Sequence, residues 1–141
     1  MKNLTAFLFT MFLSCTNFPS LSFADNFNIS SSTFADYTVQ ISNSPFADHI
    51  IQISDSPFVD YSVRVKLGGC SVFSDYSVQI LNSTFADYSV QISNGPLIDH
   101  SVQISSSPFA DHTVCVPASS NQKDIEKYVA AIIVIAAELK K

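Results

Sequence analysis

The chain has 141 residues and a formal net charge of −5, which is enough for one domain and no more. Residues 25–116 carry nine aspartates against two cations, Arg64 and Lys66. This acidity argues against nucleic acid and anionic membranes as partners, because both are bound through lysine and arginine.

Residues 1–24 predict a signal peptide. Lys2 supplies the positive start, Leu4–Leu13 the apolar stretch, and Ser22-Phe23-Ala24 the small residues before the cut. The apolar stretch is shorter than the about 20 residues that span a bilayer. A lipid-attachment site at Cys15 is the alternative, although the residues before it fit that motif poorly. We therefore expect a secreted or cell-surface protein, in the periplasm or on the outer surface if the source is bacterial.

Residues 25–117 are a tandem-repeat region built from one phrase, Phe-Ala-Asp-Tyr-Ser-Val-Gln-Ile, best preserved at Phe85–Ile92 and Phe34–Ile41. The step between successive aspartates is 12 residues in five cases and 11 and 15 in the other two. The eight aspartates are Asp25, Asp36, Asp48, Asp60, Asp75, Asp87, Asp99 and Asp111. A fixed period in a short chain indicates a repeat architecture, in which each unit is buried against its neighbours.

Within each copy, Tyr, Val and Ile share one parity while Ser and Gln share the other, as Tyr37, Val39 and Ile41 illustrate. This alternation predicts one half-buried strand of five to seven residues per copy. Ser-Asn-Ser-Pro at 42–45 and its equivalents predict a turn after each strand, because proline cannot donate to a ladder.

The predicted fold class is therefore all-β, with about eight short strands of a 12-residue repeat and one C-terminal α-helix. In a β-solenoid, aspartates would form a column about 4.8 Å apart and repel by about 0.9 kcal/mol per pair. A 12-residue coil is also cramped for an interior of Tyr, Phe, Val and Ile. In an antiparallel meander, Val39 faces Ile51 and the apolar faces coincide. We favour the antiparallel meander over the β-solenoid; the third possibility is a chain with no stable monomeric fold.

Residues 118–141 predict a linker and a helix. Apolar residues recur there at helical spacing, namely Ile125, Tyr128, Val129, Ile132, Ala136 and Leu139. The uninterrupted apolar stretch Tyr128–Ala137 is too short for a membrane span, so no stable span is expected. We expect this helix to pack on the sheet or on its end.

The row of aspartates offers weak candidates for calcium binding, since Ca²⁺ takes six to eight oxygen ligands. The candidates are Asp36, Asp48, Asp60, Asp75, Asp87, Asp99 and Asp111. The alternative is that each aspartate fixes its turn through a local bond from side chain to backbone. Calcium-binding repeats are rich in glycine and this chain has three glycines, so we favour the alternative and expect no cofactor.

Cys70 and Cys115 are the two thiols left after removal of the signal, and both lie at irregular positions of the repeat. They are candidates for one disulfide in an exported protein. Asn28 and Asn82 begin N-glycosylation sequons, which carry information only in a eukaryotic host.

His49, His100 and His112 take the Tyr position of the repeat, where each most simply replaces a half-buried ring. His100 and His112 fall on adjacent repeats and could share a metal ion, but no third ligand is placed near them. The chain has no phosphate-binding loop and no metalloprotease motif, and we expect no catalytic role.

The leading hypothesis is a secreted structural or surface-associated repeat protein that self-assembles through its β-sheet, including cross-β assembly. A precursor of repeated secreted peptides is one alternative, although the only paired basic residues are Lys140-Lys141 at the end of the chain. The other is a flat repeat surface that binds a glycan, ice or a protein partner.

Overall fold

The computed structural model describes residues 25–70 and 74–141. Within those ranges the elements are β1 (Asp25–Ile29), β2 (Tyr37–Ile41), β3 (His49–Ile53), β4 (Tyr61–Leu67), β5 (Tyr76–Leu81), β6 (Tyr88–Ile92), β7 (His100–Ser105), β8 (His112–Val116) and α1 (Gln122–Leu139). One strand per repeat and a C-terminal helix agree with the sequence pattern. The predicted signal peptide, residues 1–24, lies outside the described residues.

The strands form a closed barrel in which every neighbouring pair is parallel, so the predicted antiparallel meander is wrong. The order around the barrel is β1-β5-β2-β6-β3-β7-β4-β8, with β8 closing onto β1. The chain therefore circles the barrel twice, and the last four strands fill the gaps between the first four. Val39 in β2 lies opposite Ile80 and Tyr88, and not opposite Ile51.

The segments between strands explain this difference. A meander requires residues 42–45 to reverse the chain, whereas the segment from β2 to β3 arches over β6 and continues in the same direction. Ser42 N–H still bonds to Val90 O of β6 at 2.8 Å, and Ala47 N–H closes a tight turn onto Ser44 O at 3.3 Å. Parallel connections usually need a dozen or more residues; a shorter segment suffices here because it crosses only one strand.

A stagger of two residues between neighbouring strands widens the barrel. At six pairings the central position of one strand lies opposite the Tyr/His position of the next: Val78 and Tyr37, Val39 and Tyr88, Val90 and His49, Ile51 and His100, Val102 and Tyr61, Val63 and His112. These pairings alone give a shear of about 12 residues, whereas eight-stranded parallel barrels with a shear of eight hold side chains only. A larger shear tilts the strands and increases the diameter.

The same stagger removes the electrostatic argument against parallel strands. Aspartates of neighbouring strands are offset by two residues, which separates them by about 8 Å in sheet geometry. They do not form a column at strand spacing. At this distance, about one Debye length in physiological salt, their repulsion is weaker than at strand spacing and is partly screened.

Helix α1 lies inside the barrel. Nine consecutive residues, Val129–Ala137, are buried on all faces of the helix, and the helix contacts seven strands, β2 to β8. The sequence predicts packing on the sheet or its end, but the sheet closes around the helix instead. The core combines α1 with the central residues of the strands, such as Val39, Val63 and Val90.

Within the two described ranges, no helix combines the length and the apolar character needed to cross a membrane.

Helix α1 runs antiparallel to the strands, so the two ends of the barrel differ. His49 at the start of β3 contacts Glu138 at the end of the helix, with 2.8 Å between Nε2 and Oε1. Ile41 and Ile92, the last residues of their strands, lie beside Lys123 in the first turn of the helix. We call the end where the strands begin the aspartate end, and the end where the strands finish and the helix begins the lysine end.

Candidate functional site

The repeated aspartates bond to the neighbouring strand and not to their own turns. Asp48 Oδ2 accepts from Ser89 N–H at 2.9 Å, and Asp48 N–H donates to Ser89 Oγ at 2.9 Å. Seven aspartates accept from a backbone N–H in this way at 2.7–2.9 Å: Asp36, Asp48, Asp60, Asp75, Asp87, Asp99 and Asp111. Where the partner has no hydroxyl, as with Ile50, the aspartate N–H donates to the partner's carbonyl.

These seven aspartates are the calcium candidates from the sequence. The structure places them around the barrel, one at each of seven strand pairings. Among residues 25–70 and 74–141, no group of three or more His, Cys, Asp or Glu side chains could hold a metal ion. One oxygen of each carboxylate holds the neighbouring strand, which is a structural role.

Three of the outward-facing Gln side chains hold crossover segments. Three such bonds join a strand to the segment that crosses it, at 3.2–3.4 Å: Gln79 Nε2 to Ser31 O, Gln91 Nε2 to Asn43 O, and Gln103 Nε2 to Asp55 O. Outward Ser and Thr residues, such as Ser89 and Thr38, form the hydrogen bonds with the aspartates described above. Gln79, Gln91 and Gln103, and the Ser and Thr residues that pair with aspartates, are thus engaged in intramolecular hydrogen bonds.

Cys70 and Cys115 form a disulfide, with Cα atoms 5.5 Å apart. The bridge marks the place in the described strand order where the chain crosses two strands, since β8 and β1 separate β4 from β5. The 15-residue step between aspartates occurs here. Gly68 and Gly69 begin the crossing with φ of 70° and 60°, a conformation that favours glycine. Cys115 occupies the Gln position of β8, so a covalent bond replaces the hydrogen bond that holds other crossovers.

The two glycosylation candidates lie in different environments. Asn28 is half-buried within β1, opposite Ser77 on one side and Cys115 on the other. Asn82 is exposed immediately after the end of β5. Glycosylation stays a prediction, and Asn82 is the more accessible of the two side chains.

Aromatic rings close the aspartate end. Six pairs of rings have centroids 5.5–6.0 Å apart: Phe27–Tyr76, Tyr37–Tyr76, His49–His100, Tyr61–His100, Tyr61–His112 and Phe27–His112. The three histidines thus take the ring positions expected of them. His100 stacks on His49, while the Tyr61 ring lies between His100 and His112.

The end of α1 is fixed to these rings. Glu138 accepts from Lys141 Nζ at 3.0 Å and lies 2.8 Å from His49 Nε2. The hydrogen bonds from Lys141 and His49 lower the pKa of Glu138. Lys140 Nζ lies 4.7 Å from the centroid of the Tyr61 ring, a cation–π contact.

His112 is the most deeply buried polar group at the aspartate end, with a side chain 7 % exposed. Burial lowers the pKa of His112, while the carboxylates of Asp25 and Asp111 act weakly in the opposite direction. The Nδ1 atom lies 4.0 Å from Asp25 Oδ2, which is too long for a hydrogen bond. Among the described residues, neither ring nitrogen has a hydrogen-bond partner, so burial favours the neutral imidazole.

Six large apolar side chains project into solvent from the crossover segments. They are 80–92 % exposed and occupy the same position of the repeat: Phe34, Phe46, Phe58, Phe85, Leu97 and Phe109. We call this set the apolar belt. Each member precedes by two residues an aspartate that opens a strand, so the belt surrounds the outside of the barrel near its aspartate end. Repeated exposure of large apolar groups, unlike single cases, indicates an interaction surface.

The belt rings are carried on hydrogen-bonded turns. The N–H of each of the five phenylalanines donates to the Oγ of a serine two residues earlier, at 3.1 Å. Beside Phe46, the bond from Ala47 N–H to Ser44 O closes the turn. Because the backbone under each ring is already fixed, covering the ring costs little backbone entropy.

The repeat phrase contains a pattern that indicates the exposed belt, and the prediction of strands from Tyr, Val and Ile does not use it. In Phe-Ala-Asp-Tyr-Ser-Val-Gln-Ile, the Phe shares its parity with Asp, Ser and Gln, and not with Tyr, Val and Ile. The expectation that Phe lies in the interior of a coil is wrong, because the five repeat phenylalanines are 91–92 % exposed. A large apolar residue repeated on the polar parity is the pattern that predicts an exposed apolar surface.

No protein-family model matches this chain, and no curated protein matches its sequence.

Proposed function

We propose that the protein is an exported structural protein that associates with copies of itself through the apolar belt. The observation that carries the proposal is the 80–92 % exposure of six equivalent apolar side chains. Apolar surface in contact with water is unfavourable by about 25 cal/mol per Å². Association between copies is the simplest way to cover a surface that is itself repeated around the barrel.

The belt offers enough apolar surface for a stable assembly. A phenylalanine buries about 150–250 Å² when it is covered, so six side chains provide on the order of 1,000 Å². A standard interface buries about 800 Å² on each partner. Because the belt surrounds the barrel, one neighbour covers only part of it. This favours an assembly of many copies.

The closed barrel directs association away from sheet edges. Addition of strands edge to edge requires an unpaired strand, and all eight strands of the barrel are paired on both sides. Belt contacts need no change of fold, whereas cross-β addition requires the barrel to open. The strand order also favours a chain that acts as a whole over a peptide precursor, because each strand pairs only with strands of distant repeats.

Sedimentation velocity of the mature chain tests this proposal. The belt variant replaces all six side chains by serine: Phe34→Ser, Phe46→Ser, Phe58→Ser, Phe85→Ser, Leu97→Ser and Phe109→Ser. The control is Leu67→Ser, which removes an apolar side chain that is 56 % exposed outside the belt. Circular dichroism verifies that both variants keep the fold of the parent.

We expect the parent and Leu67→Ser to associate in the micromolar range, from about 1 to 100 μM, and the belt variant to stay monomeric. A parent chain that is monomeric throughout this range contradicts the proposal. So does a belt variant that associates as strongly as the parent.

A further inference from the structure

The two ends of the barrel differ in charge. The strands open with aspartates at the aspartate end, and Glu138 adds a further carboxylate there. Lys140 and Lys141, which follow the last residue of α1, are the cations at this end. Lys66, Lys123 and Lys127 lie at the lysine end, where β4 finishes and α1 begins. Three acidic residues, Asp55, Asp124 and Glu126, lie at the same end and balance these lysines, whereas the aspartate end is strongly acidic. Repulsion between carboxylates therefore disfavours contact between two aspartate ends, and the aspartate end of one copy meets less repulsion at the lysine end of another.

A cleft at the lysine end has the chemistry of a receiving site. Its volume is about 210 Å³, and it is lined by Ile41 and Ile92, by the polar residues Ser42 and Asn43, and by Lys123, Glu126 and Lys127 of α1. An apolar cavity of about 150 Å³ accepts a benzene molecule, so this cleft has room for a phenylalanine ring. The two ammonium groups outnumber the single carboxylate, which leaves the cleft with a positive balance.

A second cleft at the same end is larger, about 340 Å³, but lacks this combination. It is lined by Ile29, Ile80, Pro117 and Tyr128 with three polar residues, Ser30, Ser31 and Gln79. None of these side chains is charged. This cleft has room for a ring and no cation to pair with a carboxylate.

The belt presents the complementary chemistry. In Phe46-Ala47-Asp48 and its equivalents, an exposed ring is followed two residues later by an exposed aspartate. Asp48 uses Oδ2 for Ser89, and its carboxylate has a second oxygen. A ring and a carboxylate carried on one turn match a cleft with two isoleucines and two lysines.

We propose that a Phe-Ala-Asp unit of one copy docks in the cleft formed by Ile41, Ile92, Lys123 and Lys127 of a second copy. This inference rests on the proposed self-association and specifies its contact. Because the belt lies near the aspartate end and the cleft at the lysine end, the contact joins two different surfaces. Such a heterologous contact adds copies head to tail and does not close a symmetric dimer.

Charge reversal in the cleft tests the contact in the mature chain. The cleft variant carries Lys123→Glu and Lys127→Glu, and the control Lys66→Glu reverses one charge at the same end but outside the cleft. By sedimentation velocity, we expect association of the cleft variant to be weaker by about tenfold or more. Association of Lys66→Glu should stay within about twofold of the parent, as for an exposed charge outside the contact.

Mixing the two defective forms gives a second test. The belt variant keeps the cleft but has no rings, and the cleft variant keeps the rings but has a reversed cleft. At a concentration where each alone is monomeric, an equimolar mixture should form a mixed complex in which one cleft-variant chain binds one or more belt-variant chains. In that mixture only one contact is possible, from the rings of the cleft variant to the cleft of the belt variant.

The outcomes separate the two proposals. A cleft variant that associates like the parent, while the belt variant does not, overturns the docking contact and leaves self-association through the belt intact. Absence of a mixed complex in the mixture also overturns the docking contact. A parent chain that does not associate at all removes both proposals.

Discussion

Asp48 and Ser89 are 41 residues apart in the sequence and form two hydrogen bonds between the start of β3 and β6. Ser89 N–H donates to Asp48 Oδ2, and Asp48 N–H donates to Ser89 Oγ, both at 2.9 Å. This pair joins the start of one strand to a strand laid down in the second circuit of the chain. Equivalent bonds recur at most strand pairings, which gives the repeated aspartate a physical reason that involves no ligand.

Replacing Asp48 by alanine should lower the free energy of unfolding by about 1 kcal/mol, because Ser89 N–H loses its acceptor. Asp48→Asn keeps an acceptor oxygen and should cost less. Asp55→Ala is the control, since Asp55 lies in a crossover and opens no strand. Urea unfolding of the three variants provides the measurement. Equal midpoints for Asp48→Ala and Asp55→Ala would count against the structural role.

Removing the disulfide should destabilise the barrel strongly, because Cys70 and Cys115 close a loop of 45 residues. Loop-closure entropy for that length corresponds to about 4 kcal/mol. Unfolding of Cys70→Ser/Cys115→Ser should coincide with unfolding of the parent in a reducing buffer. If reductant leaves the parent's urea midpoint unchanged, the bridge does not hold the long crossover in solution.

Alanine substitutions along α1 should distinguish a helix inside the barrel from a helix on its surface. Ile132, Ile133 and Ile135 point in different directions from the helix axis, and all three are fully buried. Each change to alanine should therefore cost about 2–5 kcal/mol. Ile125→Ala, at a position only partly buried, is the control and should cost less. If the loss of stability, measured by thermal unfolding, instead varies with the helical period so that one face of the helix tolerates alanine, the enclosed position is contradicted.

Stability should fall on acidification because of His112. Burial lowers the pKa of this imidazole in the folded state, so the unfolded chain takes up its proton first as the pH falls below the ordinary value of about 6.5. The contribution of neutral His112 is thus complete above that value and decreases as the pH falls toward the lowered pKa. The carboxylates of Asp25 and Asp111 favour the protonated form, while Lys140 opposes it, and the rings of Phe27 and Tyr61 pack against the imidazole.

His112→Tyr is the matched variant for this prediction, since tyrosine fills the same position in four other strands. Thermal unfolding from about pH 7.5 to 5 should show a shallower loss of stability for His112→Tyr than for the parent. Identical pH profiles for the two proteins would show that His112 does not contribute to the acid sensitivity.

The amino-acid sequence by itself determined the elements. Alternation of Tyr, Val and Ile with Ser and Gln identifies the strands, and it also identifies which side chains face inward, because the direction of a strand side chain depends only on its parity. The apolar spacing after residue 121 identifies the helix for the same local reason. The 15-residue step marks the irregular connection, and the two cysteines mark the segments joined across it.

The tertiary structure decided which strands become neighbours. Near-identical repeats present near-identical pairing surfaces, so the alternation of Val39 and its neighbours is compatible with Ile51 in a meander and with Ile80 in the barrel. The choice depends on how far residues 42–48 carry the chain, on the bonds from aspartates to strands 41 or 49 residues away, and on an all-apolar helix that a wide, strongly staggered barrel can enclose. These are contacts between residues distant in sequence. The belt also depends on them, because its side chains form one surface only where the crossovers that carry them pass over the outside of the barrel.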